Sequence, residues 1–251
     1  AAGTDGVSVS AGVETSRGSK QGVAVRQAIP FVAMKKMIGD HLLLSHQQVP
    51  AVSVFADLDV DQVIALRKAR FADAPCKVTL THILLKAIAE ALKDFPLLNA
   101  TLADGEILVL DEINIGMAVA LADGNLIVPV IRNADRLSVT GIAERSNELA
   151  EIALKGKLGL DDVRGGTFTL SNVGSVPGTL WQTPLINPPQ SGTLALGRAR
   201  AAAVVRDGQI VVGQVMGASL TFDHRVISGL PASEFMAHLA ELLRSPEPWC
   251  A

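Results

Sequence analysis

The stretch TFDHRVISG, residues 221–229, decides how the rest of this chain is interpreted. An apolar, β-branched run interrupted by glycines precedes it over residues 210–220, and helical spacing of apolar residues follows over about 231–244. These patterns predict a strand, a turn and a helix, with His224 on the turn between Asp223 and Arg225. An imidazole held there suits general base chemistry, and its charged neighbours can fix the local geometry. From these nine residues alone, a structural histidine bonded at a strand end is an equal alternative.

The composition indicates a folded protein that has more apolar surface than its own core buries. The chain has 251 residues, 49% of them hydrophobic and 19% charged, and its mean hydropathy is +0.34. This composition makes the chain more apolar than an average soluble domain, so we expect part of its surface to contact other subunits. No run of 18 apolar residues and no secretory signal pattern is present. The net charge of −3 and the absence of tyrosine argue against nucleic acid as the main partner.

The two cysteines, Cys76 and Cys250, predict neither a disulfide framework nor a metal site. They are far apart in sequence, and no CxxC spacing occurs. Nothing around Cys76 supplies a base, so we interpret it as an ordinary thiol rather than a nucleophile.

The chain pattern predicts a flexible linker or cloning remnant over residues 1–27 and one folded domain over 28–251. Asp-Gly pairs at 104–105, 123–124 and 207–208 predict hairpins, the first two within a β-meander. The Gly-rich loop after residue 171 lacks the spacing of a nucleotide-binding loop. The expected helices are 34–45, 59–72, 79–95 and 137–158, and the expected strands include 51–58, 97–103, 106–110, 114–122, 126–131, 165–171 and 193–197. Strands mixed with helices and joined by hairpins predict an α+β fold with a mixed β-sheet and flanking helices.

The histidine stretch and five other segments resemble the catalytic domain of dihydrolipoamide acyltransferases, the E2 components of 2-oxo acid dehydrogenase complexes. Residues 223–229 are similar to the family's DHRxxDG signature, and the resemblance extends over about 28–249. The other segments, each with the family pattern that it resembles, are MKKMI at 34–38 (MRKxIA), PLLNA at 96–100 (HPxxNA), GNLIVPVI at 124–131 (GLIVPVI), GTFTLSN at 166–172 (GTFTxSN) and PLINPPQ at 184–190 (PIINPPQ). Chloramphenicol acetyltransferases share the fold and the histidine chemistry, but their motif begins with a His-His pair where this chain has Asp223.

The resemblance implies acyl transfer between the thiols of dihydrolipoamide and coenzyme A on a chloramphenicol acetyltransferase-like fold. His224 would be the general base, and Ser171 would be the hydroxyl that stabilises the oxyanion. The family builds this site between neighbouring subunits of a trimer. Ser228 stands where the family most often has Asp, and in some members Asn. A serine supplies no charge to an imidazolium, so we expect a functional enzyme that is slower if the charge matters.

Two cations are candidate contacts for the phosphates of coenzyme A. Lys35 stands where the family's first helix commonly has Arg, and Arg132 follows the LIVPVI segment. A lysine holds a phosphate as a point charge rather than through a bidentate grip. A solvated surface side chain is the alternative for Lys35.

The resemblance also implies partners that lie outside this chain. These are a lipoyl group on another domain, the E1 and E3 components bound through missing N-terminal domains, and further copies forming a homotrimer within a larger core. The expected compartment is the cytoplasm of a bacterium, or the mitochondrial matrix or plastid stroma of a eukaryote. The acyl group is expected to be acetyl, with succinyl and branched-chain groups as alternatives. A catalytically reduced core subunit and a stand-alone acetyltransferase are the competing functions.

Overall fold

The structure, a computed structural model, describes residues 19–20, 23–121 and 124–250. The chain divides between His41 and Leu42 into two compact units. The first contains a short antiparallel strand pair, β1 (Ser19–Lys20) and β2 (Val23–Ala24), and the beginning of helix α1 (Ala33–Gln48). Most of the predicted linker over 1–27 lies outside the described residues, and the domain boundary at residue 28 stays a prediction.

The second unit holds the remaining helices and strands. Its helices are α2 (Asp61–Arg70), α3 (Leu80–Asp94), α4 (Val139–Leu154), α5 (Leu160–Val163) and α6 (Gly229–Arg244). Its strands are β3 (Ala51–Asp59), β4 (Ala100–Ala103), β5 (Glu106–Val109), β6 (Ile115–Met117), β7 (Val119–Ala120), β8 (Leu126–Ile127), β9 (Val130–Ile131), β10 (Phe168–Asn172), β11 (Gly192–Leu196), β12 (Arg200–Arg206) and β13 (Gln209–Asp223).

Seven strands form one mixed sheet, which confirms the predicted α+β class. Its order is β12-β13-β11-β10-β6-β9, and β3 pairs with β13 as well. The pairs β10/β11 and β10/β6 are parallel, and the others are antiparallel. The 15-residue strand β13 contacts three neighbours and ends at the histidine turn. The sheet therefore fixes where that turn lies.

Helices α3 and α6 contribute most of the apolar layer that covers one face of the sheet. Side chains at alternate strand positions, such as Phe168, Leu194 and Phe222, are fully buried in this core. Phe168 packs against Phe235 of α6, with ring centroids 6.3 Å apart. Alternation places the intervening residues of the same strands on the opposite face of the sheet.

That opposite face carries small and hydroxyl side chains rather than a second apolar layer. They include Thr169 and Ser171 of β10, Thr193 of β11, and Ser219 and Thr221 of β13. A Cβ atom at Gly197 or Gly217 would overlap the main chain at Leu180, so the segment 179–190 must cross here. This segment lacks regular secondary structure, in agreement with the predicted extended stretch at 183–190.

Two of the predicted strand regions are wrong in detail. Residues Pro96–Asn99 form a 3-10 helix, so the strand predicted from residue 97 begins only at Ala100. The strands predicted over 114–122 and 126–131 are broken into four short ones, because β6 and β9 join the main sheet while β7 and β8 pair separately. Asp123 of the predicted turn lies outside the described residues.

The composition also bears on the thiols and on the helices. Cys76 and Cys250 are free thiols, and burial raises the pKa of Cys250 to about 11. None of the helices in the described part of the chain combines the length and apolar character that a membrane span needs.

Candidate active site

His224 lies on a turn that main-chain hydrogen bonds hold at both sides. The Asp223 N–H donates to the Ser191 carbonyl at 2.9 Å, and the His224 N–H donates to the Pro50 carbonyl at 3.2 Å. The Val226 N–H closes the turn onto the Asp223 carbonyl at 2.9 Å. The imidazole itself is exposed. Within the described residues, neither of its nitrogens has a hydrogen-bond partner, so the ring is presented outward from a fixed backbone.

Asp223 and Arg225 lock the turn through their side chains, as the sequence predicts. The Asp223 carboxylate is 3% exposed and accepts bonds from the Arg225 guanidinium, with Nη2 at 2.6 Å and Nε at 3.0 Å. It also accepts the Arg225 backbone N–H at 2.9 Å. These hydrogen bonds raise the pKa of Arg225 above its ordinary value. The carboxylate is thus committed to Arg225 and does not orient the imidazole directly.

Ser228 occupies the N-cap position of α6, four residues after His224. Its side chain is exposed and makes no capping bond to the helix, although its carbonyl accepts the Ala232 N–H at 3.3 Å. Ser228 therefore shares the surface of the histidine turn, with a hydroxyl that no protein group of the described residues uses.

Ser171 lies near the end of β10 on the hydroxyl-bearing face of the sheet. It is half-buried, and its Oγ accepts a hydrogen bond from Gln182 Nε2 at 3.1 Å. Two residues earlier on the same face, Thr169 Oγ1 donates to Gln190 Oε1 at 2.6 Å. Two glutamine side chains of the crossing segment 179–190 thus reach two successive hydroxyls of β10.

One chain does not bring His224 and Ser171 together. Ser171 pairs with Ala195, and Ala195 pairs with Ser219, four residues before Asp223 on β13. At about 3.3 Å per residue, this offset is about 13 Å along the strands, with two strand spacings of about 5 Å each across the sheet. No side chain of either type spans such a gap. A site that uses both residues needs them from two copies of the chain.

The two predicted phosphate contacts lie in different surroundings. Lys35 is exposed on α1, in the first unit. Arg132 follows β9, and its Nη2 donates to the carbonyls of Asp161 and Arg164 at 3.0 and 3.1 Å. Arg132 also borders a cavity of about 410 Å³ near the start of β10, at the opposite end of this strand from Ser171. The structure thus gives Arg132 a loop-tethering role, and its contact with coenzyme A stays a prediction.

Sequence reasoning missed Gln182, whose only visible signal is its place in the stretch between Gly178 and the PLINPPQ segment. It also missed a cavity of about 650 Å³ at the end of β10, bordered by Thr81, Asn172 and Arg198. Asn172 Nδ2 donates to Thr81 Oγ1 at 2.9 Å and ties this strand end to α3. Isolated polar residues of this kind have no sequence pattern that reveals their contacts.

The sequence from residue 24 to residue 251 matches the protein family described as 2-oxoacid dehydrogenases acyltransferase (catalytic domain). The chain belongs to this family. It is 37% identical over 239 residues to the succinyltransferase component of the 2-oxoglutarate dehydrogenase complex from Rickettsia typhi, covering 94% of this chain and 60% of that protein. It is 39% identical over 220 residues to the acetyltransferase component of the pyruvate dehydrogenase complex from Bacillus subtilis, covering 85% and 49%. The chain thus spans about half to three fifths of these relatives.

Solved structures agree with the family and the fold. Dihydrolipoamide acetyltransferase from Azotobacter vinelandii has a TM-score of 0.84 at 35% identity, covering 90% of this chain and 94% of that one. The cubic core of a pyruvate dehydrogenase multienzyme complex has a TM-score of 0.83 at 35% identity, covering 90% and 96%. A chloramphenicol acetyltransferase, at 17% identity and a TM-score of 0.53, covers 81% and 94% and shares the fold alone. The predicted family and fold are confirmed.

Proposed function

We propose that this chain transfers an acetyl group between the thiols of a dihydrolipoyl group and coenzyme A. The observation that carries the proposal is the exposed imidazole of His224 on a turn fixed by Asp223 and Arg225. A thiol has a pKa near 8.5 and is mostly protonated at neutral pH, so attack on a thioester needs a base. The imidazole nitrogens of His224, which form no hydrogen bond with any described residue, suit that role.

The proposed steps need only this base and one hydrogen-bond donor. His224 removes the proton of the attacking thiol while sulfur bonds to the carbonyl carbon of the thioester. The carbonyl oxygen becomes an oxyanion, and the Ser171 hydroxyl donates to it. The tetrahedral intermediate then expels the other thiolate, which takes the proton back from the imidazolium. The reaction begins and ends with one thiol and one thioester, and charge and protons are conserved. The steps therefore require no metal or redox partner.

We place the site between two subunits, with His224 from one and Ser171 from its neighbour, in a trimer that builds a larger core. Ser171 lies about 13 Å along the strands and about 10 Å across them from Asp223, the strand end next to His224, and this offset supports the arrangement. The structural relative that is a cubic core of a pyruvate dehydrogenase complex also favours it. The expected partners are a lipoyl domain and the E1 and E3 components.

The relative from Azotobacter vinelandii was investigated for the catalytic role of a serine, a histidine and an asparagine four residues after the histidine. Ser228 has that same spacing from His224. We therefore assign the Ser228 hydroxyl a supporting contact at this site, where it can donate but adds no charge. Lys35 and Arg132 remain the proposed phosphate contacts of coenzyme A.

The choice of acetyl rests on the acetyltransferase relatives, while the relative from Rickettsia typhi is a succinyltransferase component. Steady-state rates with acetyl-coenzyme A and succinyl-coenzyme A, each with free dihydrolipoamide as acceptor, distinguish the two. We expect the higher kcat/KM with the acetyl thioester. A higher value with the succinyl thioester would overturn this choice and leave the mechanism intact.

The mechanism is tested by two substitutions in the assembled protein. We expect His224→Ala to abolish transfer and Ser171→Ala to lower kcat by about 10²- to 10³-fold, the usual cost of one oxyanion donor. The control is Thr183→Val, an exposed change on the crossing segment. Retained activity in His224→Ala, with unchanged assembly by size-exclusion chromatography, would refute the mechanism.

A further inference from the structure

The hydroxyls of Thr169 and Ser171 have opposite roles in their hydrogen bonds to glutamine: Thr169 donates and Ser171 accepts. Thr169 gives its proton to Gln190 Oε1, so it has no proton left for another acceptor. Ser171 instead receives an N–H from Gln182, with 3.1 Å between Nε2 and Oγ. Its own proton is therefore directed away from the glutamine. Among the hydroxyls of β10 in the described chain, Ser171 is the one left with a proton to donate.

The segment that carries Gln182 is held in place on both sides of this residue. Before it, the Arg198 N–H donates to the Thr179 carbonyl at 2.9 Å, and the Leu180 carbonyl lies against Gly197 where no Cβ fits. The Trp181 indole packs in the same way on Gly217. After it, the buried Ser45 hydroxyl donates to the Ile186 carbonyl at 2.6 Å. Gln182 is thus presented to Ser171 by a tethered backbone.

We infer that Gln182 is a positioning residue that aims and polarises the Ser171 hydroxyl for the oxyanion. The inference rests on the proposed function, because it assigns Gln182 a role only through Ser171. A donor on the oxygen of a hydroxyl strengthens the bond which that hydroxyl donates in turn. The amide also occupies a lone pair of Oγ, so the proton cannot rotate toward the segment. Gln182 touches no reacting atom, and its effect belongs to turnover rather than to substrate binding.

The test compares Gln182→Met, which keeps the length of the side chain but removes the donor, with the unaltered protein. We expect kcat to fall about fivefold, the value of one neutral hydrogen bond, with the KM values of coenzyme A and dihydrolipoamide unchanged. Gln182→Leu is the second variant if the methionine variant assembles poorly. The matched control is Gln62→Met, on the exposed face of α2, which we expect to leave kcat unchanged.

Two further comparisons distinguish a positioning role of Gln182 from a role in packing alone. In the Ser171→Ala background, Gln182→Met should change kcat by less than about 1.5-fold, because the two residues act as one unit. Gln182→Glu should lower kcat more than Gln182→Met, since a carboxylate can only accept and draws the Ser171 proton toward itself. An equal loss in both backgrounds, a rise in KM alone, or a milder effect of glutamate than of methionine would overturn the inference.

The outcomes also separate this inference from the proposed function. If Ser171→Ala retains full turnover, the proposed role of Ser171 fails and the role of Gln182 fails with it. If Ser171→Ala loses turnover while Gln182→Met does not, only the positioning role is refuted.

Discussion

At the scale of single residues, His224 and Asp223 have different roles: Asp223 stabilises the turn, and His224 presents its imidazole to solvent. Asp223 is buried and bonded to Arg225, whereas His224 is exposed, packs its ring on Phe222 and has no hydrogen-bond partner for its imidazole among the described residues. The imidazole is therefore aligned through the backbone rather than by a carboxylate on its ring. Support for the imidazolium must come from the surface around it, where Ser228 is the nearest side chain in sequence beyond the buried Val226 and Ile227.

Replacing Ser228 by aspartate tests whether the missing charge limits turnover. We expect Ser228→Asp to raise kcat, since a carboxylate near the turn stabilises the imidazolium that forms during attack. The same carboxylate lies at the N-terminus of α6, where a negative charge adds about 0.5 kcal/mol of stability. Ser228→Asn is the matched uncharged control. A kcat for Ser228→Asp at or below that of the unaltered protein shows that charge is not limiting.

At the scale of elements, capping contacts define the first turns of two helices. Thr79 caps α3 and Ser138 caps α4, where the Ser138 hydroxyl accepts the Gly141 N–H at 3.1 Å. In α3 the reciprocal partner is His82, whose Nδ1 accepts the Thr79 N–H at 3.2 Å. A histidine can accept this bond only while that nitrogen is unprotonated. The start of α3 is thus coupled to pH.

Burial lowers the pKa of His82 from 6.5 to about 4, which predicts a loss of stability in acid. Between these two values the unfolded chain binds a proton that the folded chain excludes. His82 therefore leaves the free energy of unfolding unchanged above pH 6.5. As the pH falls from 6.5 toward 4, it lowers this free energy progressively, by up to about 3 kcal/mol.

The variant His82→Gln checks this assignment, because glutamine is a favourable partner in a capping box and does not titrate. We expect its free energy of unfolding, from urea titrations at pH 7 and pH 4.5, to change less with pH than that of the unaltered protein. Equal pH dependence in both proteins would show that His82 is not the titrating group.

How far the sequence predicts these elements depends on whether a residue's role is local. The histidine turn, the helix caps and the Asp-Gly hairpins follow from neighbouring residues, and the structure agrees at 104–105 and 207–208. The breaks within β6 to β9 do not follow, because they depend on which strand pairs with which. The Gln182 contact with Ser171 depends on a segment that crosses the sheet, and no local pattern encodes it.

At the scale of the whole molecule, exposed apolar surface agrees with the proposed assembly. On the β12–β13 hairpin, Val205, Ile210 and Val212 are 71%, 79% and 78% exposed, and Phe55 of β3 is 54% exposed. Exposed apolar side chains that are grouped together, as the three on this hairpin are, mark interaction surfaces. The sequence predicts this from its high hydropathy, but not which faces are involved. Together with the separation of His224 from Ser171, this surface favours a site that exists only in the assembly.

The most direct test of this central claim is the activity of mixed assemblies built from His224→Ala and Ser171→Ala chains. Each variant alone is expected to show little or no transfer. In a random mixture, about one quarter of the interfaces pair an intact histidine with an intact serine from the neighbouring chain, so about a quarter of the original activity should return. Mixing subunits by joint refolding and assaying acetyl transfer to dihydrolipoamide measures this fraction. A mixture no more active than its two components would contradict a site shared between subunits.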